Sequence, residues 1–351
     1  LNTNNNKILP WHKPVWDQFI RMQGNLPHAI LLHGPGGTGK SAFAEYLAQS
    51  LLCENRQPDG HACFTCPSCN WFGAYSHPDY RRILPAALEV ESHAAGDEKE
   101  SVDAEDDKAA SRSSREPSKK IGIDQIRQLT ETINLSTHRG GRRLFCLWPA
   151  EALTTESSNA LLKMLEEPPA GTIFILITGN INALLPTILS RCRRLAMPMP
   201  AFQAALDWLK EQDVEDPETW LAEQGGAPIS ALEAVQNGNR EEMDAFLAAL
   251  AAPGVDVALK TAERLQRSSA RHIIAWLQRW LYDLLSLRLS GRQRYFPRYK
   301  KELETMAAKA SLDELLRMLK KTAGRNQAAD HPLVLRLLIE DILLDYSRLF
   351  N

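Results

Sequence analysis

The chain has 351 residues, enough for two to three domains at about 150 residues each. Its 44% hydrophobic and 24% charged content suits globular domains with sizeable cores, and its longest apolar runs fall far short of a membrane span. With 41 Lys+Arg against 43 Asp+Glu the net charge is −2, which argues against a free-standing nucleic-acid binder; the polar first residues carry no signal-peptide core, so a cytoplasmic location is expected.

Residues 29–33 (AILLH) predict a short buried strand, and Phe43, Tyr46, Leu47 and Leu51 recur at helical spacing over 42–52. Between them stands Gly34-Pro35-Gly36-Gly37-Thr38-Gly39-Lys40-Ser41. It fits G-x-x-x-x-G-K-[ST] in the strand–turn–helix setting the motif needs. Backbone N–H groups of such a turn converge on phosphate oxygens; Lys40 would reach the β- and γ-phosphates and the Ser41 hydroxyl would ligate Mg2+. The plainer reading is a loop that kept its shape and lost its ligand.

Four of the six cysteines follow, as Cys53-x9-Cys63-x2-Cys66-x2-Cys69. In a reducing compartment such a cluster reads as metal before disulfide. Four thiolates complete a closed tetrahedral zinc site, which would be structural because no coordination position stays open. A redox pair or free thiols are the alternatives, and His61 is a spare ligand with no necessary role. Cys146, inside an apolar run, reads as core.

Residues 89–120 hold ten acidic and six basic residues, two Val and no aromatic. They offer too little apolar surface to offset ordering entropy, so the segment reads as a disordered surface insertion. Beyond it, Asp124 is the expected N-cap of a helix carrying Ile126, Leu129 and Ile133. Strands are predicted at 144–148 and 173–178, with a helix at 159–167 between them. Strands that are apolar throughout and separated by helices imply a parallel sheet covered on both faces, hence an α/β nucleotide-binding-type domain over 1–200.

After Pro198 and Pro200 come short helices over 201–254, then only helices, expected at 259–289, 301–321 and 334–349. The region 255–351 has 18 Lys+Arg against 11 Asp+Glu. Its run 288–301 interleaves Arg, Lys, Tyr and Phe, which suits phosphate and base contact but is better read as a solvated inter-helix loop. Leu335, Leu338, Ile339, Ile342 and Leu343 give the last helix apolar surface for an oligomer contact.

Hydrolysis needs a carboxylate at the end of a neighbouring strand to hold Mg2+, and commonly a second to orient water. Strand 144–148 instead runs into Trp148-Pro149, which cannot ligate a cation. Glu151 lies two residues past the expected acid and is expected to face elsewhere. Binding can survive this; efficient hydrolysis cannot.

Three further runs carry a resemblance: 158–169 (SNALLKMLEEPP), 174–178 (FILIT) and 187–192 (TILSRC). The chain resembles the bacterial clamp-loader branch of the AAA+ family, strongly over 10–200 and more weakly beyond. The resemblance implies an α/β AAA+ P-loop domain (1–200) with a zinc module at 53–69, a small helical lid domain (201–254) and an all-α collar for oligomerisation (255–351). It makes Thr178 a polar sensor of the γ-phosphate and Arg191 an arginine finger reaching a neighbour's ATP. Such a finger carries rate effects of order 10³–10⁵ in phosphoryl transfer. The competing view of Arg191 is a solvated basic edge shared with Arg193 and Arg194.

Ile229 falls where the motor subunits carry a sensor arginine. With Trp148-Pro149, this implies a non-hydrolysing stator subunit of the replicative polymerase's clamp loader. Its partners would be the motor and delta subunits of a hetero-pentameric ring, the sliding clamp, and primer–template DNA through the assembly, with no membrane. Structural zinc is implied, and ATP or ADP with Mg2+ in the intact phosphate loop stays open. The rival readings are a self-contained, motor-type AAA+ ATPase and a zinc-dependent nucleic-acid module.

Overall fold

The computed structural model describes residues 7–89, 117–133, 137, 141–328 and 335–350. The acidic insertion expected over 89–120 lies outside them except at its two ends. The chain divides into two compact units, Leu1–Met199 and Pro200–Asn351.

The first unit is built on five parallel strands: β1 (Ala29–His33), β2 (Tyr80–Ile83), β3 (Arg143–Leu147), β4 (Thr172–Thr178) and β5 (Arg193–Ala196), in the order β2-β3-β4-β1-β5. Because successive side chains point to opposite faces, each central strand feeds two cores. Ile30, Leu32, Ile173 and Ile175 meet Trp16 and Phe19 of helix Lys13–Arg21 and Phe43 and Leu47 of helix Lys40–Leu52. Leu31, Phe145, Phe174 and Leu176 meet helices Ile123–Ile133, Thr155–Glu166 and Pro186–Arg191 on the other face. Each such fully buried side chain stabilises by about 1.5–3 kcal/mol before entropy is charged against it.

The chain leaves β1 toward the β2 edge, whereas it leaves β4 across β1 to β5 on the opposite edge. The carboxyl ends of β1 and β4, where His33 pairs with Thr178, therefore form the switch point at which open α/β sheets leave a crevice.

Several boundaries differ from the sequence expectation, each for a local reason. The phosphate-loop helix opens at Lys40 itself. Helix Thr155–Glu166 starts earlier than 159 because the Thr154 hydroxyl accepts the Ser157 N–H at 3.2 Å. Asp124 is the second residue of its helix rather than its N-cap; the Gln125 carboxamide fastens that entry, accepting from Gly122 N–H and donating to Leu84 O.

In the second unit, helices Phe202–Glu211, Pro217–Glu223, Pro228–Gln236 and Arg240–Ala251 precede Val255–Arg264, Ala270–Ser290, Lys300–Lys309, Leu312–Ala328 and Leu335–Ser347. The helix expected over 259–289 is two, broken where Ser269 turns extended, and that over 301–321 breaks at Ala310. Phe246 and Leu250 share one core with Ile273, Leu281, Phe296 and Ile342. Inside it Trp280 Nε1 donates to Tyr346 Oη at 2.7 Å.

The basic run 288–301 is tied down. The buried Asp283 carboxylate accepts the N–H groups of Arg294, Tyr295 and Phe296 at 2.8, 3.1 and 2.9 Å. Phe296 is fully buried, and Arg298 pairs with Glu223 and Asp244. Tyr295 and Tyr299 pack edge-on to Tyr282 and Trp280. Phe296 is buried and Tyr295 and Tyr299 are half-buried against protein, which fits an inter-helix loop better than a base-stacking platform. No helix among the described residues is long and apolar enough to cross a membrane.

Candidate functional site

The phosphate loop starts where β1 ends. Gly34 has φ +155°, and a Cβ there would stand 2.0 Å from the Met197 carbonyl oxygen, so only glycine lets the loop pass the chain leaving β5. Gly37 and Gly39 take φ of +68° and +83°, and Gly39 is the N-cap of helix Lys40–Leu52. Gly36 is exposed and Ser41 half-buried. The Thr38 hydroxyl donates to Pro35 O at 3.1 Å, and the Lys40 ammonium donates to the same oxygen. Burial holds Lys40 below its ordinary pKa, while the charge of Glu151 works in the other direction.

A second layer fixes this loop from behind. The Thr38 carbonyl accepts Trp11 Nε1 at 2.9 Å and His12 Nε2 at 2.8 Å. The carbonyl can only accept, so His12 carries its proton on Nε2. Burial lowers the His12 pKa to about 4; the Thr38 bond opposes that shift and Lys40 adds to it. Neither residue announced itself in the sequence, since both lie outside the motif.

Opposite the loop, β3 runs into Trp148 and Pro149, and a single 3-10 turn, Ala150–Ala152, follows. That turn corrects the expectation for Glu151. It swings the carboxylate toward the end of β4, where Oε1 accepts the Gly179 N–H at 2.9 Å. Among the described residues its Oε2 is sealed from solvent and has no hydrogen-bond partner. Thr178, at the end of β4, is fully buried, and its hydroxyl accepts the Asn180 N–H at 3.0 Å. The switch point thus brings Lys40, Thr178 and Glu151 to one corner.

Arg191 closes the short helix Pro186–Arg191, about one third exposed. Its guanidinium donates to Thr187 O at 3.0 Å and to Glu166 Oε1 at 2.5 Å. Arg193 and Arg194 are exposed on β5 at the sheet edge.

The cysteine cluster forms at the far end of the phosphate-loop helix, of which Cys53 is the C-cap. The sulfurs of Cys53, Cys63, Cys66 and Cys69 all lie within 4.8 Å of one another, so the set could hold a metal ion. The Cys53–Cys66 and Cys63–Cys69 separations are 3.9 and 4.0 Å, twice a disulfide bond. A tetrahedron with 2.3 Å metal–sulfur bonds spaces its sulfurs about 3.8 Å apart, so the donor set fits. Backbone N–H groups of Cys63, Cys66 and Cys69 point at the sulfurs of Cys53, Cys63 and Cys66 at 3.2, 3.3 and 3.4 Å. N–H bonds from Thr65 and Cys66 help pull the Cys63 pKa down to about 6, while burial pushes Cys53 and Cys69 up.

His61 is engaged elsewhere. Its ring stacks on Trp16 at 4.7 Å and its Nδ1 meets the Tyr46 hydroxyl at 2.7 Å. Cys146 is buried in β3, as its apolar setting implies.

A family model described as DNA polymerase III, delta subunit, matches residues 12–201. The DNA polymerase III subunit delta-prime of Pseudomonas aeruginosa is 36% identical over 239 residues, 67% of this chain and 63% of that protein, so the match spans under two thirds of that relative's length. The Escherichia coli K12 subunit delta-prime is 30% identical over 285 residues, 79% of this chain and 75% of that protein. Among solved structures, a gamma subunit-related protein of DNA polymerase III from Thermotoga maritima aligns over 96% of this chain and 99% of that one, at 17% identity and a TM-score of 0.40. On the family model and the two bacterial subunits, the chain belongs to the DNA polymerase III delta-prime subunit family.

Proposed function

We propose that the chain is the stator of a clamp loader: a delta-prime subunit that supports ATP-driven loading of a sliding clamp onto primed DNA without being an efficient ATPase itself. The observation that carries this reading is the asymmetry of the switch point. A complete phosphate loop, Gly34 to Ser41, faces Trp148 and Pro149 where cation-holding acids would stand. In this reading residues 201–254 are the lid and 255–351 the collar that joins motor and delta subunits in a hetero-pentameric ring in the cytoplasm. The four cysteines hold a structural zinc, Lys40 and Ser41 face a nucleotide and its Mg2+, and Thr178 senses the phosphate. Arg191 stabilises the charge that builds on a neighbour's ATP.

The test is ATP turnover at saturating Mg-ATP, first by the chain alone beside Lys40→Ala, then in the reconstituted loader beside Arg191→Ala. The stator reading expects no turnover above the Lys40→Ala control, and loss at one neighbouring site of the loader with Arg191→Ala, on the order of 10³-fold there. Unchanged loader turnover with Arg191→Ala overturns the finger. A second reading, a self-contained ATPase, draws on the position of Glu151 near Lys40. It wins if the chain alone turns over ATP and Lys40→Ala abolishes that.

A further inference from the structure

Helices Pro217–Glu223, Pro228–Gln236, Arg240–Ala251 and Ala270–Ser290 of the second unit line a cavity of about 260 Å³. Trp276, which is buried, and Trp220, which is half-buried, give it apolar surface. Arg279 and Glu233 line it too, and the protein neutralises neither. The Arg279 guanidinium carries five N–H donors but makes one hydrogen bond among the described residues, to Gln224 Oε1 at 3.1 Å. The nearby acids are already engaged: Arg240 and Arg298 hold Glu223 and Asp244 between them. Burial lowers the Arg279 pKa, yet an arginine stays charged at neutral pH. The half-buried Glu233 carboxylate has no hydrogen bond or ion pair among the described residues, and burial raises its pKa. His272 tilts against Trp276 with ring centroids 5.8 Å apart; burial lowers its pKa, so it adds little charge at neutral pH. Charges withdrawn from water without a partner are costly, and these two opposite ones do not pair with each other.

We propose that this cavity binds a small zwitterion with an apolar side chain, an α-amino acid of the size of leucine or phenylalanine. Its carboxylate meets the open donors of Arg279, whose planar fork suits two parallel N–H···O bonds. Its ammonium meets Glu233, and its side chain lies against Trp220 and Trp276. A ligand carrying only one of the two charges would leave the other residue half-buried and unanswered. The volume admits one small molecule and no more. The site is remote in sequence from Gly34–Ser41 and Arg191, and its assignment depends on neither the nucleotide loop nor the stator reading.

The experiment is calorimetric titration of the full chain at neutral pH with L-phenylalanine and L-leucine, beside phenylacetate and phenethylamine, which each lack one charge. At least one amino acid is expected to bind with a Kd of about 1 mM or tighter, and the single-charge analogues at least about tenfold more weakly than phenylalanine. Arg279→Gln and Glu233→Gln should each weaken amino-acid binding at least about tenfold. Each variant removes an unpaired, half-buried charge, so both should melt within about 4 °C of the parent. No binding of either amino acid at about 10 mM overturns the proposal. So does phenylacetate binding as tightly as phenylalanine, because Glu233 would then read nothing. Unchanged affinity in Arg279→Gln also overturns it, as does a melting temperature for that variant lowered by more than about 8 °C, which would make the guanidinium a strut of the fold.

Discussion

Helix Lys40–Leu52 carries a candidate site at each end, and the two ends are built on opposite principles. At its N-terminus the phosphate loop satisfies itself: Lys40 and Thr38 both donate to Pro35 O, while Trp11 and His12 brace the Thr38 carbonyl. At its C-terminus four sulfurs converge on a centre that could hold a metal ion, with three N–H groups pointing at them. The first end is held by hydrogen bonds within the chain; at the second, metal binding would become folding energy. A P-loop motif in a sequence can therefore outlast its nucleotide, whereas a four-cysteine module is hard to keep without its metal.

Metal removal bears hardest on this contrast. Stripping the ion with a strong chelator, or Cys66→Ser, should lower the stability of the first unit by at least about 4 kcal/mol. Calorimetry would show the transition of the first unit shifted and that of the second unmoved. An unaltered thermogram after the metal is gone would erase the difference between the two ends.

The next effect is acid sensitivity at the loop end. Burial lowers the pKa of His12 to about 4 in the fold, against an ordinary 6.5. As pH falls below 6.5 the unfolded chain takes up this proton first, so stability is full above 6.5 and declines toward pH 4, by roughly 3 kcal/mol in all. His12→Gln, which can still donate to Thr38 O, should flatten that slope in denaturant titrations run from pH 7 to 4.5. A slope identical in both proteins would take His12 out of the account.

The smallest effect is the most diagnostic. Lys40→Met should change stability by less than about 1 kcal/mol, because the lost Pro35 bond is offset by relief of a desolvated ammonium. A large loss in thermal melts would mean that the loop end, too, is held together by one side chain.

The parts of this fold that could be read from sequence are those where one local signal suffices. β1, β3 and β4 are apolar on both faces, and the glycine pattern fixes the loop between a strand and a helix. The two edge strands are hidden because one neighbour is missing on each. Tyr80–Ile83 and Arg193–Ala196 each spend half their residues on Arg, which reads as loop. The helix breaks at Ser269 and Ala310 were masked by apolar periodicity that runs through both. At the site, the loop and the four cysteines were visible as spacings. Glu151 departs from its sequence expectation because distance along the chain is not distance in space: the single 3-10 turn Ala150–Ala152 carries it to the end of β4. Trp11 and His12 act through one carbonyl oxygen, and no spacing rule encodes such a contact.

Arg191 has one more consequence. Glu166 and Thr187 already select its rotamer, so the freedom of a long side chain, about 2 kcal/mol for arginine, is largely surrendered when the chain folds. In the proposed finger role, an incoming anion would meet a guanidinium whose direction is set. It would exchange one carboxylate for another negative group instead of ordering a mobile arm, so much of the cost of aim would be met before any encounter.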